Sequence, residues 1–282
     1  MTEVSVIIPT FNRAEKVCRA ICSVIDQTYT DFEIIVVDDG SLDGTPSYLA
    51  QFKDNVRLIT HSMNLGVSAA RNSGIKVSRS QLIALLDSDD YWMPEKLDAQ
   101  VRFFRKNPEA VACQTQEIWM RKGMRVNPGK RHNKPSGYIF ERSLKLCLVS
   151  PSAVMLKRSV LNEVGLFDEG FPVCEDYDLW LRISYRYPIH LINRHLVVKE
   201  GGYPDQLSAS RKGMDRFRIK AMVKLLKTVH LSEDQVRAVH GELRKKCRIY
   251  GEGCIRRGKR EQGNYYLSLP DNLSILQSGT VT

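Results

Sequence analysis

The chain has 282 residues, 43% of them apolar, and carries a formal net charge of +10. This length allows one large or two small domains, and the apolar content excludes a disordered or low-complexity chain. No apolar run approaches the roughly eighteen residues needed to cross a bilayer, and Met1-Thr2-Glu3 begins nothing like a signal peptide.

Val4-Ser5-Val6-Ile7-Ile8 reads as a buried strand running into the loop Pro9-Thr10-Phe11-Asn12-Arg13. A helix is predicted from about Ala14 to Ile25, with Val17, Ala20, Ile21 and Val24 at core-facing spacing. Glu33-Ile34-Ile35-Val36-Val37 is a second strand, ending in Asp38-Asp39-Gly40-Ser41. Asp43-Gly44-Thr45 opens a helix reaching about Phe52. A third strand, Val56 to Ile59, leads to Asn64-Leu65-Gly66 and a helix near Ser68 to Val77. The fourth strand, Leu82 to Leu86, runs straight into Asp87-Ser88-Asp89-Asp90. Strands alternating with short helices imply βαβ units and a parallel sheet. Right-handed crossovers then bring the loops at 9–13, 38–41 and 87–90 to one edge, where ligands bind in open α/β sheets. An isolated Asp-x-Asp is more often an acidic turn. At such an edge, Asp87 and Asp89 are placed to share a hard divalent cation with a bound phosphate.

Residues 105–175 carry no readable pattern, apart from a basic, turn-rich stretch at 120–137 expected to lie as a loop over an acceptor groove. Glu175-Asp176-Tyr177-Asp178 then precedes Leu179, Trp180, Leu181 and Ile183, an apolar segment read as a helix under the sheet. The helix dipole alone accounts for acids at its start, and Asp178 reads as solvated. Residues 211–260 hold 16 Lys/Arg against 5 Asp/Glu, more positive charge than the whole chain nets. Helical spacing is predicted at Met214–Val229, Ser232–Tyr250 and Gly253–Tyr266, with a Ser232/Gln235 capping box. The expected organisation is a catalytic domain at 1–210, divided at about residue 110, a basic helical extension at 211–268 and a frayed tail at 269–282. The basic helices could meet anionic lipid headgroups or simply face solvent. Nucleic acid is unlikely, since no binding motif accompanies the charge. Seven cysteines, scattered and odd in number, point to reduced thiols in a cytoplasm.

Val6-Ile7-Ile8-Pro9-Thr10-Phe11-Asn12-Arg13, Val37-Asp38-Asp39-Gly40-Ser41-x-Asp43-Gly44-Thr45, Asn64-x-Gly66-x-x-x-Ala70-Arg71-Asn72 and Asp87-x-Asp89-Asp90 occur in order. Together they closely resemble the family 2 glycosyltransferases, over about residues 3–205. The resemblance implies the GT-A fold: an α/β architecture with a Rossmann-like, mostly parallel central sheet flanked by helices, here with a small C-terminal helical extension. It implies a nucleotide-sugar site at Pro9, Thr10, Phe11, Asn12, Asp39, Ala70, Arg71, Asp87 and Ser88, with Asp39 accepting from a uracil N3–H. Asp89 and Asp87 would hold Mn²⁺ or Mg²⁺, which neutralises the departing diphosphate. Asp176, with Glu175 beside it, would be the base of a single inverting displacement onto a glycan or lipid-linked acceptor, the donor being UDP-linked. The setting would be cytoplasmic, with peripheral contact at the inner face of a membrane. Gly201 to Ser208 resembles the late active-site loop of the family, but Tyr203 stands where relatives often carry a metal-binding histidine. Tyrosine is a poor ligand while its pKa stays near 10. The competing readings are a nucleotide-sugar binder without turnover and, less favoured, a nucleotidyltransferase.

Overall fold

The computed structural model describes residues 2–203 and 213–278, with side chains as far as residue 273. Its centre is a sheet that alternates buried apolar residues to both faces. The strands are β1 (Val4–Thr10), β2 (Phe32–Asp38), β3 (Val56–Thr60), β4 (Leu82–Leu85), β5 (Tyr91–Trp92), β6 (Ala112–Arg121), β7 (Met124–Val126), β8 (Val154–Lys157) and β9 (His190–Gly201). They run in the order β3-β2-β1-β4-β8-β6-β9-β5, with β7 paired to β6. The first four are mutually parallel. β8 joins β4 antiparallel, and β6 then pairs antiparallel with β8 and parallel with β9.

The two faces follow from the period of two along each strand. Val4, Val6 and Ile8 pack with Val17, Ala20, Ile21 and Val24 of α1 (Ala14–Ile25) in one apolar cluster. Ile7, Ile35 and Val37 face the other way, joining α3 (Val67–Val77) and the Leu179, Trp180 and Ile183 side chains of α7 (Glu175–Ser184). Between these lie α2 (Thr45–Ala50), α4 (Lys96–Lys106), α5 (Phe140–Lys145) and α6 (Arg158–Val164). The stretch at 120–137 is not a plain loop, because β6 continues to Arg121 and turns into β7, which pairs back on it. Lys134, its side chain 7% exposed, closes this segment onto Glu117 at 3.0 Å. Against the cost of burial, the Lys134 and Lys199 charges hold the Glu117 carboxyl down at about 2.

The C-terminal segment forms α8 (Asp215–Thr228), α9 (Glu233–Arg256) and α10 (Arg260–Ser278). Ser232 and Gln235 make the capping box reciprocally. A third apolar cluster joins Phe217, Met222, Leu225, Val239 and Leu243 of these helices to Phe140, Phe171, Tyr177 and Leu181. The tail is not frayed from Leu269, since α10 continues to Ser278 through Pro270, and Leu273 is buried in that cluster. Burial of Leu273 offsets the helix-interior cost of proline. Residues 279–282 lie outside the described residues. Where α9 and α10 meet, a Cβ on Gly251 would stand 2.9 Å from the Gly263 carbonyl oxygen, so only glycine permits the approach.

One core group titrates. Lys96 is fully buried on α4, its Nζ donating to Gln100 Oε1 at 2.6 Å and lying 3.8 Å from the Trp92 ring centroid. Burial pushes its ammonium down to about 7 from 10.5, with Cys113 opposing and Lys134 adding to the shift. The folded pKa lies below the unfolded one, so folding disfavours the charged form. Stability therefore falls by up to about 1.4 kcal/mol per unit as pH drops from roughly 10.5 to 7, then levels off. Lys96→Met is expected to unfold at higher denaturant at pH 7, with a gain of roughly 1–4 kcal/mol that shrinks towards pH 10. An unchanged difference across that range would assign the titration elsewhere.

Candidate active site

The carboxyl ends of β1, β2 and β4 open on a cleft of about 650 Å³. Pro9, Thr10, Phe11, Asp39, Ala70, Arg71, Asp87, Ser88, Asp89, Glu175 and Asp176 all line it. Asn12 does not. Its backbone N–H donates to Ser41 Oγ and its Oδ1 accepts from the Leu42 N–H, both at 2.8 Å. At φ 51° Asn12 occupies the left-handed region, where asparagine is tolerated. It ties the β1 loop to the β2 loop, a role in the scaffold that the motif alone did not distinguish from binding.

Asp39 lines the cleft with a buried carboxylate. Oδ1 accepts from the Leu65 N–H at 2.9 Å and from His61 Nδ1 at 2.7 Å, and Oδ2 accepts from the Gly66 N–H at 2.8 Å. His61 Nε2 lies 2.9 Å from Ser73 Oγ, so a ring donating to Asp39 through Nδ1–H accepts the serine proton at Nε2. The turn after Asp39 requires glycine: at φ 74°, a Cβ on Gly40 would meet the Met63 carbonyl carbon at 2.5 Å.

Arg71 is 3% exposed, far from a surface arginine. One guanidinium nitrogen donates to Asp87 Oδ1 and another to Glu175 Oε1, each at 2.7 Å, with the Phe167 ring 5.0 Å away. It thereby locks the end of β4 to the start of α7. Burial lowers and the two carboxylates raise its affinity for the proton, with a net increase. Asp89 pairs with Arg13 at 2.7 Å. Asp90, the third acid of the run, is buried and accepts from Ser152 Oγ at 2.6 Å and the Glu200 N–H at 3.0 Å. Ser152 also accepts the Asp87 N–H at 3.1 Å, and its carbonyl takes the Trp92 indole N–H at 2.8 Å. A hydroxyl more than sixty residues downstream thus fixes the acidic loop.

The start of α7 also lines the cleft. Cys174, its N-cap, has φ 61° and makes no side-chain cap bond, the kind of backbone strain that gathers at functional sites. Burial and the charge of Asp176 push the Glu175 carboxyl up to about 7 against the Arg71 pair. Asp176 faces the cleft with Cys147 Sγ 3.3 Å from Oδ2. Asp178 is neither solvated nor in the cleft: it is 2% exposed and bound by Arg182 at 2.9 Å and Lys224 at 3.0 Å. Lys199 of β9 also lines the cleft and donates to Ser150 Oγ at 3.4 Å. Burial lowers its pKa, but Glu117, Asp90, Asp87 and Asp176 more than offset this and raise it.

Tyr203 is outside the cleft lining and lies under Lys16, whose Nζ is 4.6 Å from the ring centroid. Pro204 to Ser208 fall outside the described residues. None of residues 120–137 lines the cleft. Among the described residues no cluster of three or more His, Cys, Asp or Glu is arranged to hold a metal. The candidate donor set is two carboxylates, Asp87 and Asp89, each held by an arginine. That set suits a hard cation whose remaining ligands are phosphate oxygens and water. The cleft therefore combines a buried carboxylate at Asp39 that already accepts three hydrogen bonds, a paired-carboxylate centre, and a base candidate at Asp176.

The sequence profile described as Glycosyl transferase family 2 matches residues 5–165. The chain is 34% identical over 194 residues to UDP-Glc:alpha-D-GlcNAc-diphosphoundecaprenol beta-1,3-glucosyltransferase WfgD of Escherichia coli, covering 67% of this chain and 73% of that protein. Its fold is similar to S. aureus TarS 1-349 in complex with UDP-GlcNAc, at TM-score 0.67 and 15% identity over 96% of this chain and 92% of that one. It is also similar to the mannosyltransferase PcManGT from Pyrobaculum calidifontis in complex with GDP-Man and Mn²⁺, at TM-score 0.63 and 17% identity over 99% and 79%.

Proposed function

The chain belongs to glycosyltransferase family 2 and has the GT-A fold, and on that premise we propose that it moves a sugar from a uridine diphosphate donor to a lipid-linked glycan acceptor by a single inverting displacement. Sugar transfer itself comes with the family. The uridine assignment rests on a count of lone pairs at Asp39. A carboxylate offers about four acceptor positions, and His61, Leu65 and Gly66 fill three of them. One remains. Uracil presents a single imide N–H on that edge, whereas guanine presents N1–H and an amino group together. A guanine edge would leave a buried donor unpaired at a cost of about 1–3 kcal/mol.

The diphosphate would then lie across Asp87 and Asp89, facing the fixed charges of Arg13 and Arg71. Asp89 and Asp87 are the residues that would hold Mn²⁺ or Mg²⁺, whose contribution when bound is to neutralise charge on the departing diphosphate. Asp176 accepts the proton of the acceptor hydroxyl as that oxygen attacks the anomeric carbon from the opposite face. Arg71 keeps the acidic loop and the base helix in register through its two ion pairs. The relative named above acts on a diphosphoundecaprenol-linked sugar. An acceptor of that class would bring this enzyme to the cytoplasmic face of a membrane as a peripheral protein. Among the described residues, no helix is long and apolar enough to cross a membrane.

The experiment is calorimetry with UDP, UMP and GDP on wild type and Asp39→Ala. Wild type should bind UDP over GDP by at least tenfold, and the variant should lose about 1–3 kcal/mol for UDP and UMP alike. Equal affinity for UDP and GDP, or an unchanged variant, would make Asp39 a loop anchor only.

A further inference from the structure

The direction of α9 carries a run of four cations towards the end of α7 that lines the cleft. Gln235, near the start of α9, donates to the carbonyl of Tyr185, the C-cap of α7. Lys246, farther along, donates to the Lys145 carbonyl. Farther still, a side chain at Gly213 would meet Tyr250 at 3.1 Å, and the next residue, Met214, lines the cleft. The Met214 carbonyl is 3.9 Å from Cys174 Sγ at the cleft end of α7. Helix α9 therefore runs antiparallel to α7, from its far end back to its catalytic end. From Gln235 to Tyr250 it covers about 22 Å, against about 15 Å for the ten residues of α7. The remaining turns, to Arg256, carry the chain about 9 Å past Tyr250 before it folds back into α10.

At that tip stand Arg256, Arg257, Gly258, Lys259 and Arg260, all exposed. None of the four cations has a carboxylate partner among the described residues. This contrasts with Arg244, Lys245 and Lys246 lower on α9, which pair with Asp271 and Glu242. Glu252 and Glu261 flank the tip. The tip is held stiff by the Gly251–Gly263 backbone contact and by the Tyr250–Tyr266 rings at 4.7 Å. Ile249 and Tyr265, 58% and 59% exposed, add apolar and amphipathic surface just below it. Four cations without a carboxylate partner among the described residues, Arg257 touching only Cys254 Sγ, stand on a rigid projection with a ring suited to an interface and complement a sheet of anionic headgroups better than a solvated helix end requires.

We propose that the α9–α10 tip docks the enzyme on an anionic lipid surface and so holds the cleft mouth against the membrane, where a lipid-borne acceptor is presented. The docking rests on the acceptor reading for its purpose, while its test needs no acceptor. The probe is sedimentation with vesicles of phosphatidylglycerol and phosphatidylcholine, against pure phosphatidylcholine, for wild type and a variant carrying Arg256→Gln, Arg257→Gln, Lys259→Gln and Arg260→Gln. Wild type should sediment with the anionic vesicles, lose that binding between about 50 and 500 mM salt, and stay in the supernatant when the vesicles are pure phosphatidylcholine. The variant should bind at least tenfold more weakly, with UDP affinity unchanged as the check on its fold. Equal binding by the variant, equal binding to neutral vesicles, or tighter binding to a short duplex DNA than to the anionic vesicles would overturn the proposal. If vesicle docking holds but transfer to a lipid-linked acceptor fails, the acceptor assignment falls and the docking surface stands.

Discussion

Asp176→Asn is expected to reduce transfer by roughly 10²–10⁴-fold while leaving UDP affinity within about twofold of wild type. The amide keeps the size of the carboxylate but cannot take the acceptor's proton. Asp176 and Asp39 share no hydrogen-bond partner, so the loop contacts of Asp39 are untouched by the change. Glu175 makes the test sharper. Its carboxyl is pushed up to about 7 by burial and by the neighbouring negative charge, against Arg71. Removing that charge lowers its pKa. If Glu175 were the base, Asp176→Asn would stay active and the acid limb of its pH–rate profile would move to lower pH. If Asp176 is the base, residual activity is small at every pH. Asp178→Asn should not imitate either result, because Asp178 is buried among Arg182 and Lys224 and its loss acts on stability. Full activity in Asp176→Asn with an unshifted profile would remove both acids from the role.

The parallel half of the fold was legible because its strands are buried on both faces and its helices keep one apolar stripe. Val6 to Ile8 and Ile34 to Val37 are continuous apolar runs, and α1 shows its core residues at helical spacing. The acidic loop after β4 was legible for the same reason: Asp87 follows a run that can only be interior. The second half was opaque. β6 carries a glutamine, a threonine and a glutamate among its buried residues, so no alternation shows. Long-range polar contacts were equally hidden. Nothing local to Ser152 shows that its hydroxyl joins the Asp87 N–H to the Asp90 carboxylate, and nothing near Lys199 marks it as a cleft cation. Arg71 was placed in the right motif but its burial was missed, since a charged residue enters the interior only with partners that lie elsewhere in the chain. Asp178 followed the same logic, with its cation, Lys224, supplied by the C-terminal extension.

Removing the C-terminal helices, residues 213–282, is expected to leave a protein that aggregates, even though the sheet and all the candidate catalytic groups precede the cut. The reason lies in the third apolar cluster. Phe140, Leu144, Phe171, Val173, Tyr177 and Leu181 are buried against side chains that α8, α9 and α10 supply. Exposing an apolar side chain of this size costs about 1.5–3 kcal/mol, so six of them, about 9–18 kcal/mol together, match the roughly 5–15 kcal/mol on which folded domains usually rest before strain and lost partners are added. Those additions are present. Lys224 leaves Asp168 and Asp178, and the Lys246 contact to the Lys145 carbonyl is lost. Tyr177, whose hydroxyl donates to the Leu144 carbonyl at 2.6 Å, lies next to Asp176, so loosening reaches the proposed base directly. A milder variant separates the two roles of the segment: Leu225→Asp should lower the melting temperature and solubility with the basic tip intact. A soluble, cooperatively unfolding truncation that still binds UDP would show that the helices merely rest on the catalytic domain. Aggregation of the truncation together with full solubility of the four-glutamine tip variant would show that one face of the extension completes the core, leaving its tip free for another surface.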